Sequence, residues 1–183
     1  PAQLPFGCLL SENRLNLLVP VCLSATHVGF GCLRLEPVWI QAGEAAALAA
    51  VQTIRNGQPL ISASVPMIQE DLIARGAVLA FYNDIQELPL EEQACIQRAA
   101  LKGFFPGYDC RPYDALSVEE ARVWLAELEP VERLRRLHQI VEQASASRQA
   151  LPISRLEAAR RVLAGDCLTD VLIIELGDKM HVP

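Results

Sequence analysis

A chain of 183 residues with 51% hydrophobic side chains and 5% aromatics can build a core, which excludes global disorder. The net charge is −6, and residues 1–60 carry three basic and three acidic groups, so the whole excess of acid lies beyond residue 60. An acidic, aromatic-poor second part excludes nucleic acid as the expected partner, and no run approaches the ~18 apolar residues of a membrane span.

Six cysteines (8, 22, 32, 95, 110 and 167) are scattered without a Cys-x-x-Cys, and the three histidines lie far apart. No zinc spacing results, so no metal is expected. Reduced, buried thiols are the favoured reading, with disulfides in an exported protein as the alternative. The compartment stays open between cytoplasmic and exported.

In chain order, Pro1 to Glu12 reads as an extended segment and turn, with a β-hairpin as an equal reading. Asn16 to Val21 is apolar and long enough for a buried strand. A loop of small and polar residues follows, holding Ser24, Thr26, His27, Gly29 and Gly31. Imidazole is the usual general base near neutral pH, so His27 is a candidate acid/base. The plain structural reading is a histidine bonded to the loop backbone. Arg34 and Glu36 place one charge of each sign in an apolar segment and predict either a mutual salt bridge or a ligand contact. Pro37 suits a helix start or a rigid turn. Gly43 opens the way for close backbone approach. From about Glu44 to Arg55 an Ala-rich helix, apolar nearly all round, is predicted to be buried. Gly57 ends it. A second short helix runs from Met67 to Ala74 and closes at Arg75-Gly76.

The character changes near residue 80. Phe81-Tyr82-Asn83-Asp84-Ile85 precedes a helix over Leu90 to Lys102, and Gly103 to Tyr108 forms a turn. Ser117 with Glu120 is a capping box, and Ser154 with Glu157 is another thirty-seven residues later, each after an apolar residue and before an alanine. The pair predicts a weak internal repeat of one helical unit. Ala121, Trp124, Leu125 and Leu128 form a core-facing stripe. A further helix is expected from Pro130, with Val131, Leu134, Leu137 and Val141 inward, Arg133, Arg135 and Arg136 solvated and His138 on the surface. Ser145 to Ser147 reads as a linker and Leu172 to Ile174 as a terminal strand or helix.

The stretch Asn-Leu-Leu-Val-Pro-Val-Cys from Asn16 to Cys22, then Ser24, Ala25, Thr26, His27, Phe30, Gly31, Arg34, Glu36, Pro37, Gly43, Ala45 and Ala46, resembles the C-terminal FAD-contacting motif of FAD-dependent oxidoreductases. These belong to the glutathione-reductase-like and fumarate-reductase-like flavoproteins, and the similarity is to a bacterial group. The resemblance covers residues 1–80. It implies FAD as cofactor and a small-molecule substrate. Arg34 would face the flavin pyrimidine edge or an anionic substrate, and His27 would act as acid/base. Ser24, Gly29, Gly31, Glu36, Pro37, Gly43 and Glu44 would be cofactor-proximal. The helix from Glu44 would aim its first free N–H groups at the flavin C2 carbonyl. Many relatives carry a carboxylate after the strand for the ribityl chain. Val21-Cys22 stands there instead, so that contact would come from backbone or from Ser24.

The implied fold is mainly α with a small β component: the C-terminal piece of an FAD-binding α/β domain (strand, Gly loop, buried helix) over 1–80, then a small helical module over 81–183. No Gly-x-Gly-x-x-Gly follows a strand. The chain is therefore expected to be the C-terminal segment of a longer flavoprotein, whose partner is its missing N-terminal FAD-binding half. The isolated segment is expected to be inactive and to self-associate. A degenerate stand-alone chain is the other reading. Beyond residue 80, Phe81, Asp84, Ile85, Gly103, Gly107, Pro112, Ser117, Glu120 and Ala121 resemble an S-layer-homology module. The alternative function is thus a non-enzymatic helical interaction or cell-wall attachment module.

Overall fold

The computed structural model describes residues 3–126 and 153–163, and helices are numbered over these. The expectations for the helix from Pro130, Leu128, the arginine run, His138, the Ser145–Ser147 linker and Leu172–Ile174 lie outside the described residues. The chain divides into two compact units, residues 1–79 and 80–183. The architecture is mainly helical. Among the described residues, β structure is confined to two isolated antiparallel bridges, Leu10 to Leu18 and Ala115 to Ser154.

In the first unit, Phe6–Leu9 is a 3-10 turn rather than an extended segment. The strand expected over Asn16 to Val21 is absent. Leu18 bridges Leu10, and Val19 N–H donates to Leu9 O at 2.8 Å, but no ladder continues. Pro20 lacks the N–H a ladder needs, and Leu17 and Val21 face solvent. The glycine loop is also replaced: His27–Leu33 is a helix, α1. Two glycines oppose a helix by about 1 kcal/mol each relative to alanine. Two features offset this. Thr26 caps the start, its Oγ1 accepting from Gly29 N–H at 3.1 Å. Phe30 and Leu33 pack on a core of Leu9, Leu23 and Ala42.

α2 spans Glu36–Asn56, so it begins eight residues before the expected Glu44. Pro37 sits in its first turn, Glu36 and Arg55 complement the helix dipole at opposite ends, and alanines fill the middle. Gly57 closes it at φ 63°, and Gln58 N–H donates to Thr53 O at 2.9 Å. That left-handed ending favours glycine. α2 is buried on one side only, through Ala42, Ala49 and Thr53. Its other side exposes apolar residues, with Ile40 72% and Ile54 78% accessible, contrary to the expected full burial. α3, Val65–Ala74, packs Ile68 and Leu72 against Ala49.

In the second unit, α4 covers Leu90–Ala100, α5 Val118–Ala126 and α6 Arg155–Leu163. Gly103 at φ 79° turns the chain so that Phe104 enters the core. There Phe104 stacks on Trp124, with ring centroids 4.7 Å apart, and Trp124 Nε1 donates to Phe104 O at 2.6 Å. Phe81 is exposed; Tyr82 takes the core place and donates from its hydroxyl to Phe105 O at 2.9 Å. The two capping boxes meet across the Ala115–Ser154 bridge. Leu116 N–H donates to Ile153 O at 2.9 Å and Arg155 N–H to Asp114 O at 3.0 Å. The first box is reciprocal: Ser117 N–H reaches Glu120 Oε2 at 3.1 Å and Glu120 N–H reaches Ser117 Oγ at 3.2 Å. In the second, Glu157 N–H donates to Ser154 Oγ at 3.2 Å.

Asp84 pins the loop before Pro112. Its carboxylate accepts from Cys110 N–H at 3.1 Å and Arg111 N–H at 2.7 Å. Burial alone would raise its pKa, but the bonds from Arg111 and Cys110 outweigh it and hold the carboxyl below its usual value. A lowered folded-state pKa contributes stability above the unfolded value and loses it as pH falls through the folded one. Asp84→Asn is therefore expected to destabilise the second unit by about 1–2 kcal/mol near neutral pH. The gap should narrow below about pH 4, where the unfolded carboxyl protonates. Urea melts at neutral and acid pH read both.

The thiols divide by burial, against the expectation that they are all buried. Cys22 and Cys32 are exposed, Cys8 is half-buried, and Cys95 and Cys110 are in the core; none of the five is paired. Burial pushes Cys110 up to about 12, helped by the negative Asp84 carboxylate, and burial also raises Cys95. Alkylation of the native protein should label Cys22 and Cys32 and spare Cys95 and Cys110 until denaturant is added. Peptide mass spectrometry checks this.

Candidate functional site

The first unit brings most of the candidate residues onto one continuous segment, α1 with its two flanking junctions. Ser24 precedes the helix, exposed, with its N–H on Cys8 O at 2.8 Å. His27 is the first helical residue and its ring is exposed. Gly29 lies one turn on, against Thr26 Oγ1. Gly31 lies in open space on the outer side. Arg34 caps the C-terminus of α1, and Glu36 and Pro37 begin α2.

Arg34 and Glu36 do not form the expected salt bridge. Both side chains are exposed, and neither pairs with any described residue. They sit in neither a strand nor a simple turn but at the break between two helices, where Leu35 is extended at φ −101°, ψ 137°.

That break leaves donors free. Leu35 stands at the N-cap and offers no side-chain acceptor. Val38 and Trp39 N–H both turn back to Leu35 O, at 3.0 and 3.1 Å, and Pro37 has no N–H. The amides of Leu35 and Glu36 donate no backbone hydrogen bond among the described residues. The junction therefore offers two amide donors and one unpaired guanidinium, with apolar Val28, Leu35 and Ile40 exposed around it in sequence. Such a donor set suits an acceptor-rich, partly anionic ring edge flanked by apolar surface.

Gly43 and Glu44 are not part of this set. They lie inside α2, seven and eight residues past its start, about 10 Å along its axis. Their amides are within the helix, so no N-terminal donors arise there. Glu44 instead faces Arg75 of the α3 end at 3.9 Å. Both groups are solvent-accessible, and the pair contributes at most about 1 kcal/mol.

Two residues escaped the reading of candidate sites from sequence. Thr26 was visible only as a small polar residue. Its capping role needed Gly29 to be helical, and two nearby glycines argue against that. Trp39, on the first turn of α2, has a buried indole N–H with no partner among the described residues. Nothing in its sequence context signals this.

With the geometry in hand, comparison with known proteins adds the class. Residues 2–72 match the family model of the FAD dependent oxidoreductases. The matched span takes in α1, the junction, α2 and most of α3, and it marks an FAD-dependent oxidoreductase segment with FAD as the implied cofactor. No curated protein and no solved structure matches the chain. The donors at the α1–α2 junction fit FAD chemically, since the flavin pyrimidine edge presents carbonyl and nitrogen acceptors.

Proposed function

We propose that the first unit supplies the flavin- and substrate-facing C-terminal segment of an FAD-dependent oxidoreductase acting on a small-molecule substrate. The observation that carries this is the α1–α2 junction, where an exposed, unpaired Arg34 stands beside the free amides of Leu35 and Glu36. FAD, when bound, supplies the hydride chemistry. Arg34 and the two amides hold the pyrimidine edge and stabilise negative charge there. The His27 imidazole takes or returns the substrate proton at a ring nitrogen. Ser24 and the backbone beside it hold the ribityl chain. Gly29 and Gly31 keep the outer side of α1 thin enough for close approach, and Glu36 with Pro37 fixes where α2 begins.

The adenosine and pyrophosphate would be held by a dinucleotide-binding N-terminal half of the same protein. The support for such a partner is the exposed apolar surface of the first unit: Val28 is 81% accessible, and Leu15, Ile40 and Ile54 are also exposed. Without that cover, the unit is expected to self-associate and not to turn over. The test is a fluorescence titration with FAD, on the chain alone and together with a dinucleotide-binding half. Saturable binding in the second case supports the reading; no saturable binding in either rejects it.

For the second unit we propose an attachment role similar to that of an S-layer-homology module. A polar cavity of about 120 Å3 supports it, bordered by Phe105, Asp109, Arg111, Glu120 and Arg155. Glu120 joins the two capped elements there, serving its own N-cap and pairing with Arg155, whose Nη1 donates to Cys110 O at 3.0 Å. Co-sedimentation with isolated bacterial cell-wall polymer tests this. Recovery of the protein in the supernatant alone would reject it.

A further inference from the structure

We infer that Thr26 and Gly29 act as a coupled pair that positions His27, the hydroxyl of one occupying the space that a side chain on the other would need. Thr26 Oγ1 accepts from Gly29 N–H at 3.1 Å, and a Cβ built on Gly29 would stand 3.2 Å from that same oxygen. Such an approach is tighter than ordinary van der Waals contact, so the hydroxyl must move if position 29 carries a side chain. Moving it removes the only side-chain cap on a seven-residue helix. A helix that short is marginal alone and depends on its cap and its buried face. Its buried face is held by Phe30 and Leu33. Its first turn, which carries His27 and Val28 between the two partners, is held by the Thr26 bond.

Gly29 is thereby explained without appeal to a left-handed backbone. Its φ is not positive, so alanine could adopt its conformation, and alanine is ordinarily the better helix former. The glycine is retained against propensity because the cap occupies its Cβ space. Neither partner needs to touch a ligand. Each acts through the placement of His27, and the inference rests on the reading of His27 as a site residue.

The test is a double-mutant cycle on the FAD-loaded protein, with two readouts. The first is the thermal transition followed by FAD release. Thr26→Ala should lower it on the order of 4 °C. Gly29→Ala should lower it in the native background but raise it in the Thr26→Ala background, because the lost cap can be lost only once. Thr26→Ser keeps an acceptor and should restore the native value. A Gly29→Ala change that raises the transition in both backgrounds overturns the coupling.

The second readout is the visible difference spectrum of bound FAD. His27→Gln should alter it, Thr26→Ala and Gly29→Ala should reproduce that alteration, and Thr26→Ser should not. If His27→Gln alters the spectrum and the other two do not, the positioning role is wrong while the site reading stands. If His27→Gln leaves the spectrum unchanged, the placement of His27 at the flavin fails, whatever the thermal cycle gives.

Discussion

Arg34→Ala is expected to leave FAD bound but to lower its midpoint potential by roughly 30–60 mV, equivalent to about 1.4–3 kcal/mol for a two-electron couple. The guanidinium is exposed and unpaired in the protein, so its removal breaks no described ion pair and should not unfold the unit. What it removes is a fixed positive charge beside two free amides. Negative charge gained on reduction would then be stabilised by the amides alone. Removing one preorganised donor of this kind typically costs about 10²–10³-fold in turnover. Arg34→Lys should fall between, since a lysine keeps the charge but not the planar fork of donors. Reductive titration against a reference dye measures the shift. Loss of flavin with an unchanged potential would make Arg34 an anchor rather than an electrostatic group. No change in either would leave it a solvated cap at the end of α1.

Trp124→Ala is expected to destabilise the second unit by about 3–5 kcal/mol, within the range for truncating a buried tryptophan. Trp124 is 1% exposed, stacks on Phe104 at an interplanar angle of 10°, and meets the edge of Phe105 at 5.4 Å. Its indole N–H also satisfies the Phe104 carbonyl, which would be left buried and unbonded. Small domains have only about 5–15 kcal/mol in total, so the variant should melt roughly 15 °C lower or fail to fold. Trp124→Phe restores a ring but not the donor, and should cost about 1–2 kcal/mol. Urea denaturation followed by circular dichroism separates the two. Equal losses from both would mean that the hydrogen bond, not the packing, dominates.

Helix ends were easier to read from the sequence than helix beginnings. Gly57 and Gly76 each follow an apolar helical pattern, and each takes the positive φ that glycine permits. The Ser117–Glu120 box and the burial of Trp124 follow from spacing alone, because both are local in the chain. The start of α2 was displaced because Val38, Trp39 and Ile40 continue the apolar run before it, and Gly43 imitates a boundary. Only the tertiary contact of Ala42 with Leu9 and Leu23 shows that the helix is already running there. The expected strand failed on Pro20, which cannot donate to a ladder, and on the lack of a partner longer than one bridge. α1 was hidden because a cap and two buried side chains outweigh the cost of two glycines. The candidate residues from Ser24 to Pro37 could be named because they are consecutive in sequence. Their geometry could not, since it depends on where two helices break.

The central claim is that the flavin meets the protein at the α1–α2 junction rather than at Gly43 and Glu44. Hydrogen–deuterium exchange on the FAD-loaded and FAD-free protein tests it most directly. Amides of Leu35 and Glu36, free in the protein, should gain protection when FAD binds, while those of Gly43 to Ala47, already inside α2, should change little. Protection at Gly43 to Ala47 with none at the junction, or binding of FAD without any change in residues 24–37, would contradict the account.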